Sequence, residues 1–316
     1  MYYKTENYND YIHKVNLIIR TYRSYKKRIQ DTKSKVISYN YNSNKSGNSF
    51  KSRISSQFMG NKDSNGNKNG FGILKWNDGS KFIGAFSNNQ AYGIGIFYHP
   101  DGDIYQGEFY NDRANGYGEY IHINGAIYYG SWYNDNQCDI GYEHWADSAC
   151  YSGNYVNGKK EGIGTYVWQD KTVYQGEWKE NNINGFGMFY YPDGRSYIGE
   201  LHGSQMHGYG EFIWKEGKKY FGYYSHDKKH GFGIYFWPND KFYVGFWKNG
   251  KQHGAGKHIK GNKISFGKWN EGKKETKYET ITEFNGDLNK EEHKYIYFLN
   301  LDVENICAFM NNGILS

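Results

Sequence analysis

From residue 70 onward, glycines, rings and polar residues return every 23 positions. Opening glycines stand at 70, 93, 116, 162, 185, 208, 231 and 254, and Asp139 holds the missing place in phase. Fourteen residues after each opener comes the glycine of an aromatic–x–Gly unit, at 84, 107, 130, 153, 176, 199, 222 and 245. Alternating rings and glycines on either side of a turn predict a β-hairpin per period. A strand of about seven residues is expected to run from each Gly–x–Gly. A turn follows, such as Asn77–Asp78–Gly79, Pro100–Asp101–Gly102 or Pro192–Asp193–Gly194. Asp–Gly after proline suits a three-residue loop with the glycine left-handed. A second strand carries the Tyr–x–Gly–x–aromatic unit, and a polar link leads to the next repeat.

The three-residue loop sets His99 opposite Asp103, Phe97 opposite Tyr105 and Gly95 opposite Gly107. These side chains share one face, because alternation along a strand is strict. Rings of one hairpin are therefore expected to lie across the bare backbone of the next. The predicted fold class is all-β: an elongated single-layer antiparallel sheet of stacked hairpins, solenoid-like, with flanking N- and C-terminal helices. At ~4.8 Å per strand, nine repeats would span roughly 85 Å. Phe58–Met59–Gly60 reads as the trailing half of a degenerate repeat. The ninth repeat breaks phase, with Gly267 one residue early and Ser265 in the tyrosine place.

The opposite face is polar in early repeats (Lys75, Gln106, Glu108, Ser131). It is apolar in late ones (Ile213, Phe221, Tyr223, Phe236, Val244, Phe246). An apolar patch of that kind needs a cover. Asn289 with Glu292 makes a capping-box start, and Tyr295, Leu299, Val303, Ile306 and Met310 line one helical face. A helix over 290–311 is expected to close the stack.

Before the repeats, residues 1–30 read as a helix. Tyr11, Val15, Ile18, Tyr22, Tyr25 and Ile29 form a stripe, with Arg20, Arg23, Lys26, Lys27 and Arg28 crowded around it. Such a basic amphipathic helix can meet an anionic membrane, a calmodulin-like partner or its own repeats. Residues 31–57 are rich in Ser, Asn and Lys without periodicity and read as a flexible linker. The expected organisation is thus 1–30 helix, 31–57 linker, 58–276 repeat array and 277–316 C-terminal capping segment.

Composition sharpens this. The chain of 316 residues is 20% aromatic with 41 glycines and 34 tyrosines, a poor recipe for a thick aliphatic core. The net charge of +6 is unevenly placed: residues 1–57 carry 12 Lys/Arg against 3 Asp/Glu, and the rest is slightly acidic. Attraction to anionic surfaces is therefore expected from the N-terminal segment and not from the repeats. Cys138, Cys150 and Cys307 form no disulfide framework, which favours free thiols in a reducing compartment. Neither a signal-peptide core nor an apolar run of membrane-spanning length stands out.

The repeat resembles the MORN repeat, a unit of about 23 residues. Its best expressions are Tyr174–Gln175–Gly176–Glu177–Trp178 leading to Gly185–Phe186–Gly187, and Tyr243–Val244–Gly245–Phe246–Trp247 leading to Gly254–Ala255–Gly256. The N-terminal helix is similar to the IQ motif through Ile18, Arg20, Arg23, Tyr25 and Arg28, and departs from it at Ile19 and Ser24. The MORN resemblance implies hairpin arrays serving as scaffolds at membrane–cytoskeleton junctions, in cilia and flagella and in division structures. It also implies dimers in several cases and phosphoinositide binding in some.

No nucleophile–base set, H-E-x-x-H or nucleotide loop is present, and Gly–x–Gly recurs in array without a following helix. His207, His230 and His253 lie about 10 Å apart between neighbouring repeats, too far to share one ion. No enzyme activity, cofactor, metal or nucleic acid is expected. The expected function is a non-catalytic scaffold or adaptor in the cytoplasm, at the cytoskeleton or inner face of a membrane. Its protein partners, a helix or peptide, would lie in an aromatic groove of Tyr105, Tyr128, Trp132, Tyr174, Trp178, Tyr197, Tyr220 and Trp247. An alternative is peripheral binding of anionic phospholipids through the basic segment. Ile18, Arg20, Arg23, Tyr25, Lys26, Lys27 and Arg28 would then serve a lipid headgroup or a calmodulin-like light chain. An exposed sheet edge near Gly70 allows a homodimer.

Overall fold

The computed structural model describes residues 56–302 and 304–306. The expected basic helix and nearly all of the linker lie outside these residues. Ser56 and Gln57, assigned to the linker, belong to the first strand. The described chain divides at Gln169 into two units. The first holds β1 (Ser56–Lys62), β2 (Lys68–Trp76), β3 (Lys81–Ser87), β4 (Gln90–Tyr98), β5 (Ile104–Tyr110), β6 (Arg113–Ile121), β7 (Ile127–Tyr133), β8 (Asn136–His144), β9 (Cys150–Val156) and β10 (Lys159–Val167). The second holds β11 (Val173–Lys179), β12 (Asn182–Tyr190), β13 (Ser196–His202), β14 (Gln205–Ile213), β15 (Lys219–Ser225), β16 (Lys228–Trp237), β17 (Lys241–Lys248), β18 (Lys251–Lys260), β19 (Lys263–Asn270) and β20 (Lys273–Lys277). Within each unit every strand pairs antiparallel with the next in sequence, a meander one layer thick.

The register is the expected one. Phe97 faces Tyr105 and Gly95 faces Gly107. His99 N–H donates to the Asp103 carbonyl at 2.9 Å, and Gly102, at φ +99°, closes the loop. Two features of the hairpins differ from expectation. The first strand of each repeat begins about three residues before the opening glycine, as β4 does at Gln90. The polar link is also no loop. It is a two-residue turn with both residues left-handed, as at Asn88–Asn89 (φ +48° and +70°) and Asn111–Asp112 (φ +49° and +66°). Turns of this hand match strand twist, and Asn and Asp tolerate them best. The second turn residue also braces the preceding repeat. Asp112 Oδ1 accepts from Ala91 N at 2.7 Å, while Asp112 N donates to the Ala91 carbonyl at 3.2 Å. Asp135 with Ala114 and Asp227 with Met206 repeat the arrangement.

The opening glycine sits on a bulge. Between Gly84↔Gly95 and Phe86↔Ala91 the β4 side carries extra residues, and Gly93 there is left-handed. Asp139 takes the same bulge at φ +50°. That explains how an aspartate keeps the phase: it is among the few residues with a side chain that enter this region readily.

The late part of the opposite face of the second unit, over β16–β18, is covered by residues 278–302 and 304–306. The expected single helix over 290–311 is, in the described residues, a set of short pieces. These include α1 (Ile281–Gly286), α2 (Lys290–His293) and α3 (Ile296–Asn300). The capping box of Asn289 and Glu292 is present. The helix breaks because its groups have other tasks. Leu301 leaves helical geometry (ψ 140°) and offers its carbonyl to Lys257 Nζ, and Asp302 Oδ1 starts a new turn by accepting from Asn305 N at 2.8 Å. Phe284, Leu288, Leu299 and Ile306 pack on Phe232, Ile234, Phe242, Val244, Ala255 and Ile259 in one apolar cluster. Glu292 Oε1 accepts from Ala255 N at 2.7 Å, which ties the cap to β18.

Candidate functional site

One face of each meander is built of rings on glycine. The Tyr105 ring spans Gly107 on its own strand and Gly118 on the next. A Cβ at Gly118 would stand 2.4 Å from the phenol oxygen. No side chain larger than hydrogen fits under such a ring. Tyr128, Tyr151, Tyr174, Tyr197, Tyr220 and Tyr243 repeat the geometry, and Phe58 and Phe82 begin it. Each tyrosine hydroxyl donates to the carbonyl three residues on, as from Tyr105 to Glu108 at 3.0 Å and Tyr174 to Glu177 at 2.9 Å. Burial pushes these phenols far up, so they remain donors. In the ninth repeat Ser265 replaces the ring, and the Lys274 side chain lies over Gly267 instead, its ammonium donating to Ser265 Oγ at 2.8 Å.

The rings also meet one another edge to face. Tyr105 touches Phe109 at 5.1 Å and Trp132 at 5.3 Å. Tyr220 touches Tyr224 at 5.1 Å and Trp247 at 5.4 Å. Trp132 and Trp247 bond through Nε1 to the carbonyls of Gly118 and Gly233. The eight residues expected to line the groove, Tyr105, Tyr128, Trp132, Tyr174, Trp178, Tyr197, Tyr220 and Trp247, are thus all buried. They form its floor. Tyr105 and Trp132 do contribute to an open hollow of about 270 Å³ with Phe97, His99 and Tyr120.

A second set of rings on this face, none of them among the eight expected from the sequence, is, Phe212 apart, half-exposed. It consists of the residue before each three-residue loop and the residue two earlier. In the first unit Trp76, Phe97, His99, Tyr120 and His122 follow one another at 5.7, 4.6, 5.4 and 4.7 Å. Trp145, Tyr166 and Trp168 follow at 5.4 and 4.6 Å. In the second unit Phe189, Tyr191, Phe212, Trp214, Tyr235, Trp237 and His258 run on at 5.9, 6.3, 4.5, 5.5, 4.4 and 6.0 Å. All but Phe212 are half-buried, with one edge towards solvent. The signal was available, since Trp76, His99, His122, Trp145, Trp168, Tyr191, Trp214 and Trp237 keep the 23-residue period.

Two lysines enter this band differently. Lys160 Nζ lies 4.9 Å from the Trp145 ring and pairs with Glu143 at 2.9 Å. Lys229, at the corresponding place in the second unit, lies 4.5 Å from both Tyr235 and Trp247. Phe212 stands where Glu143 would. Burial pushes the Lys229 ammonium down to about 8. Ring faces attract a cation but do not replace its water fully.

Among the described residues no group of His, Cys, Asp and Glu is placed to hold a metal ion. His202, His207 and His226 gather at ring separations of 6.0 and 5.4 Å without forming such a group. Cys138 and Cys150 are free thiols, and burial beside Asp139 pushes the Cys138 thiol up to about 11. The seven N-terminal candidates, Ile18 to Arg28, lie outside the described residues.

The MORN-repeat family model matches residues 64–81, 82–104, 105–127, 151–173, 174–194, 197–219, 220–241 and 243–263. The chain belongs to the MORN-repeat proteins. The unmatched stretch between 127 and 151 contains Asp139 yet folds like its neighbours. MORN-repeat proteins are typically non-enzymatic repeat scaffolds, and the repeats commonly serve as protein-interaction or membrane-association modules. No curated protein matches the chain. Similar solved structures include the TCP10 domain of Danio rerio CPAP (12% identity, 60% of this chain and 88% of that one, TM-score 0.32). Another is the Drosophila melanogaster SAS-4 TCP domain in complex with a proline-rich motif of Ana2 (9%, 71% and 96%, 0.30). A third is virginiamycin B lyase from Staphylococcus aureus (13%, 60% and 60%, 0.14). None of these likenesses is close enough to carry an argument about this chain.

Proposed function

We propose that this MORN-repeat protein is a non-catalytic scaffold that binds protein segments along the half-buried ring band. One observation carries the reading. The Tyr–x–Gly rings are consumed by packing on glycine, whereas the band beside them keeps one edge in solvent. Aromatic rings on a stiff backbone lose little entropy on binding and dominate interface energetics. Runs of three to seven such rings fit an extended or helical segment better than a small molecule, since the hollow over Phe97 and Tyr120 is open and small.

The test is Trp214→Ser with Trp237→Ser in the full chain. Both rings are half-exposed, so the sheet survives. Co-purified protein partners should fall at least tenfold, while Met188→Ala on the opposite face leaves them unchanged. Equal recovery from all three proteins overturns the reading. The charge of residues 1–57 supports a second reading, anionic-lipid binding by that segment. Liposome sedimentation with and without it decides, and equal binding by the truncated protein refutes it.

A further inference from the structure

The centre of the opposite face is a single row of cross-strand pairs, and its burial is uneven. In the first unit the row runs Ile73, Ile83, Ile96, Gln106, Glu119, Tyr129, Tyr142, Ser152 and Thr165. Its first five members are only 1–6% exposed, and the last four are half-exposed. A residue on one face of a single-layer sheet does not reach 1% exposure, as Ile96 does, unless something lies on it. The second unit supplies the control. There Ile234 and Val244 are as deeply buried, under the C-terminal segment, while Gln175, Met188 and Ile198 of the same row are half-exposed. In the first unit the described apolar cluster, Ile73 and Ile83 with Phe71 and Tyr98, draws on strand residues alone.

We propose that this end of the opposite face is the docking surface for the protein's own residues 1–55. That segment enters the sheet at Ser56, and Met59 of the same strand pairs with Ile73 at the head of the buried row. The Tyr11 to Ile29 stripe, as a helix, would extend about 27 Å at 1.5 Å per residue. The five buried positions span four strand spacings, roughly 19 Å. Ile73, Ile83 and Ile96 make the centre of this early end apolar, where the sequence led us to expect a polar face, and they meet the stripe. Glu119, a carboxylate 2% exposed that accepts from Gln106, meets a segment carrying 12 Lys/Arg against 3 Asp/Glu. The surface lies on the far side of the sheet from the ring band, so the inference does not depend on the proposed function. It has one consequence: the stripe that docks here is the one a light chain or a membrane would take, so these occupants compete.

The experiment uses the full chain with a photo-crosslinking benzoylphenylalanine at position 22, replacing Tyr22. The expected product is an intramolecular link from position 22 into residues 68–121, in monomer. Links only to residues beyond 121, links only between two copies, or no link overturn the proposal. In parallel, Ile18→Glu with Tyr22→Glu alters only the segment and leaves every strand residue in place. Hydrogen exchange in β3–β6 should rise at least tenfold in this variant while that in β12–β13 stays constant. Unchanged exchange in β3–β6 overturns it.

Discussion

Replacing Gly187 by alanine isolates the contact on which each repeat is built. The new Cβ would stand 2.4 Å from Tyr174 Cε2 and 2.5 Å from its hydroxyl oxygen, against an ordinary contact of about 3.5–4 Å. Gly187 has no positive φ, so backbone strain adds nothing. The ring must give way by more than an ångström. It is fully buried, 4.8 Å from Phe189 and 5.6 Å from Trp178, and its hydroxyl bonds to Glu177 at 2.9 Å. Overpacking costs about 1–3 kcal/mol, and losing the hydrogen bond adds about 1 kcal/mol. Alanine's better strand entropy returns roughly 0.5 kcal/mol. The expected loss is about 1.5–3.5 kcal/mol. Tyr174→Leu alone should cost about 2–3 kcal/mol through the lost ring. In the double variant the Cβ enters space the ring has vacated, so the costs should fall short of additivity by about 1–2 kcal/mol. Urea unfolding with hydrogen exchange over residues 173–190 reads both the global and the local change. Additivity within about 0.3 kcal/mol would refute the ring-on-glycine account.

Other outcomes follow from the same structure. Asp139→Gly should leave stability within about 0.5 kcal/mol or raise it, whereas Asp139→Val should cost about 1–3 kcal/mol, because only the latter resists φ +50°; thermal melts check both. Lys229 has its ammonium pushed down to about 8, below the ordinary lysine value of 10.5. The unfolded chain therefore binds more protons between those values, and stability should rise with pH across that window and be lowest below it. Lys229→Met should gain roughly 1–3 kcal/mol at pH 7 and abolish the rise, measured by urea midpoints from pH 7 to 10.5. Glu292→Ala should cost about 1–3 kcal/mol, since it strands the Ala255 and Asn289 N–H groups, and should raise exchange in residues 278–306 first.

The fold was legible in the sequence because one period fixed strand, turn and face together. Gly95 opposite Gly107 and Gly102 left-handed were available from the loop length alone. The two-residue turns were not, because Asn111–Asp112 reads equally as a polar linker until the hydrogen bonds to Ala91 show that it must be tight. The C-terminal cover was legible as an apolar stripe. Its division into short pieces was not, because it depends on Lys257 and the Leu301 carbonyl, groups far apart in sequence. The candidate site was legible only in part. Tyrosines that mark the repeat most clearly are the ones spent on packing. Trp214 and Trp237, which reach solvent, keep the same 23-residue period, but a period alone does not tell a packed ring from an open one.

The ring band's role is tested most directly by photo-crosslinking in living cells from two positions on opposite faces of one unit, Trp214 and Met188, each replaced by benzoylphenylalanine. Protein adducts from position 214, with few or none from 188, are the predicted result. Adducts from 188 alone, or equal yields from both, would contradict it.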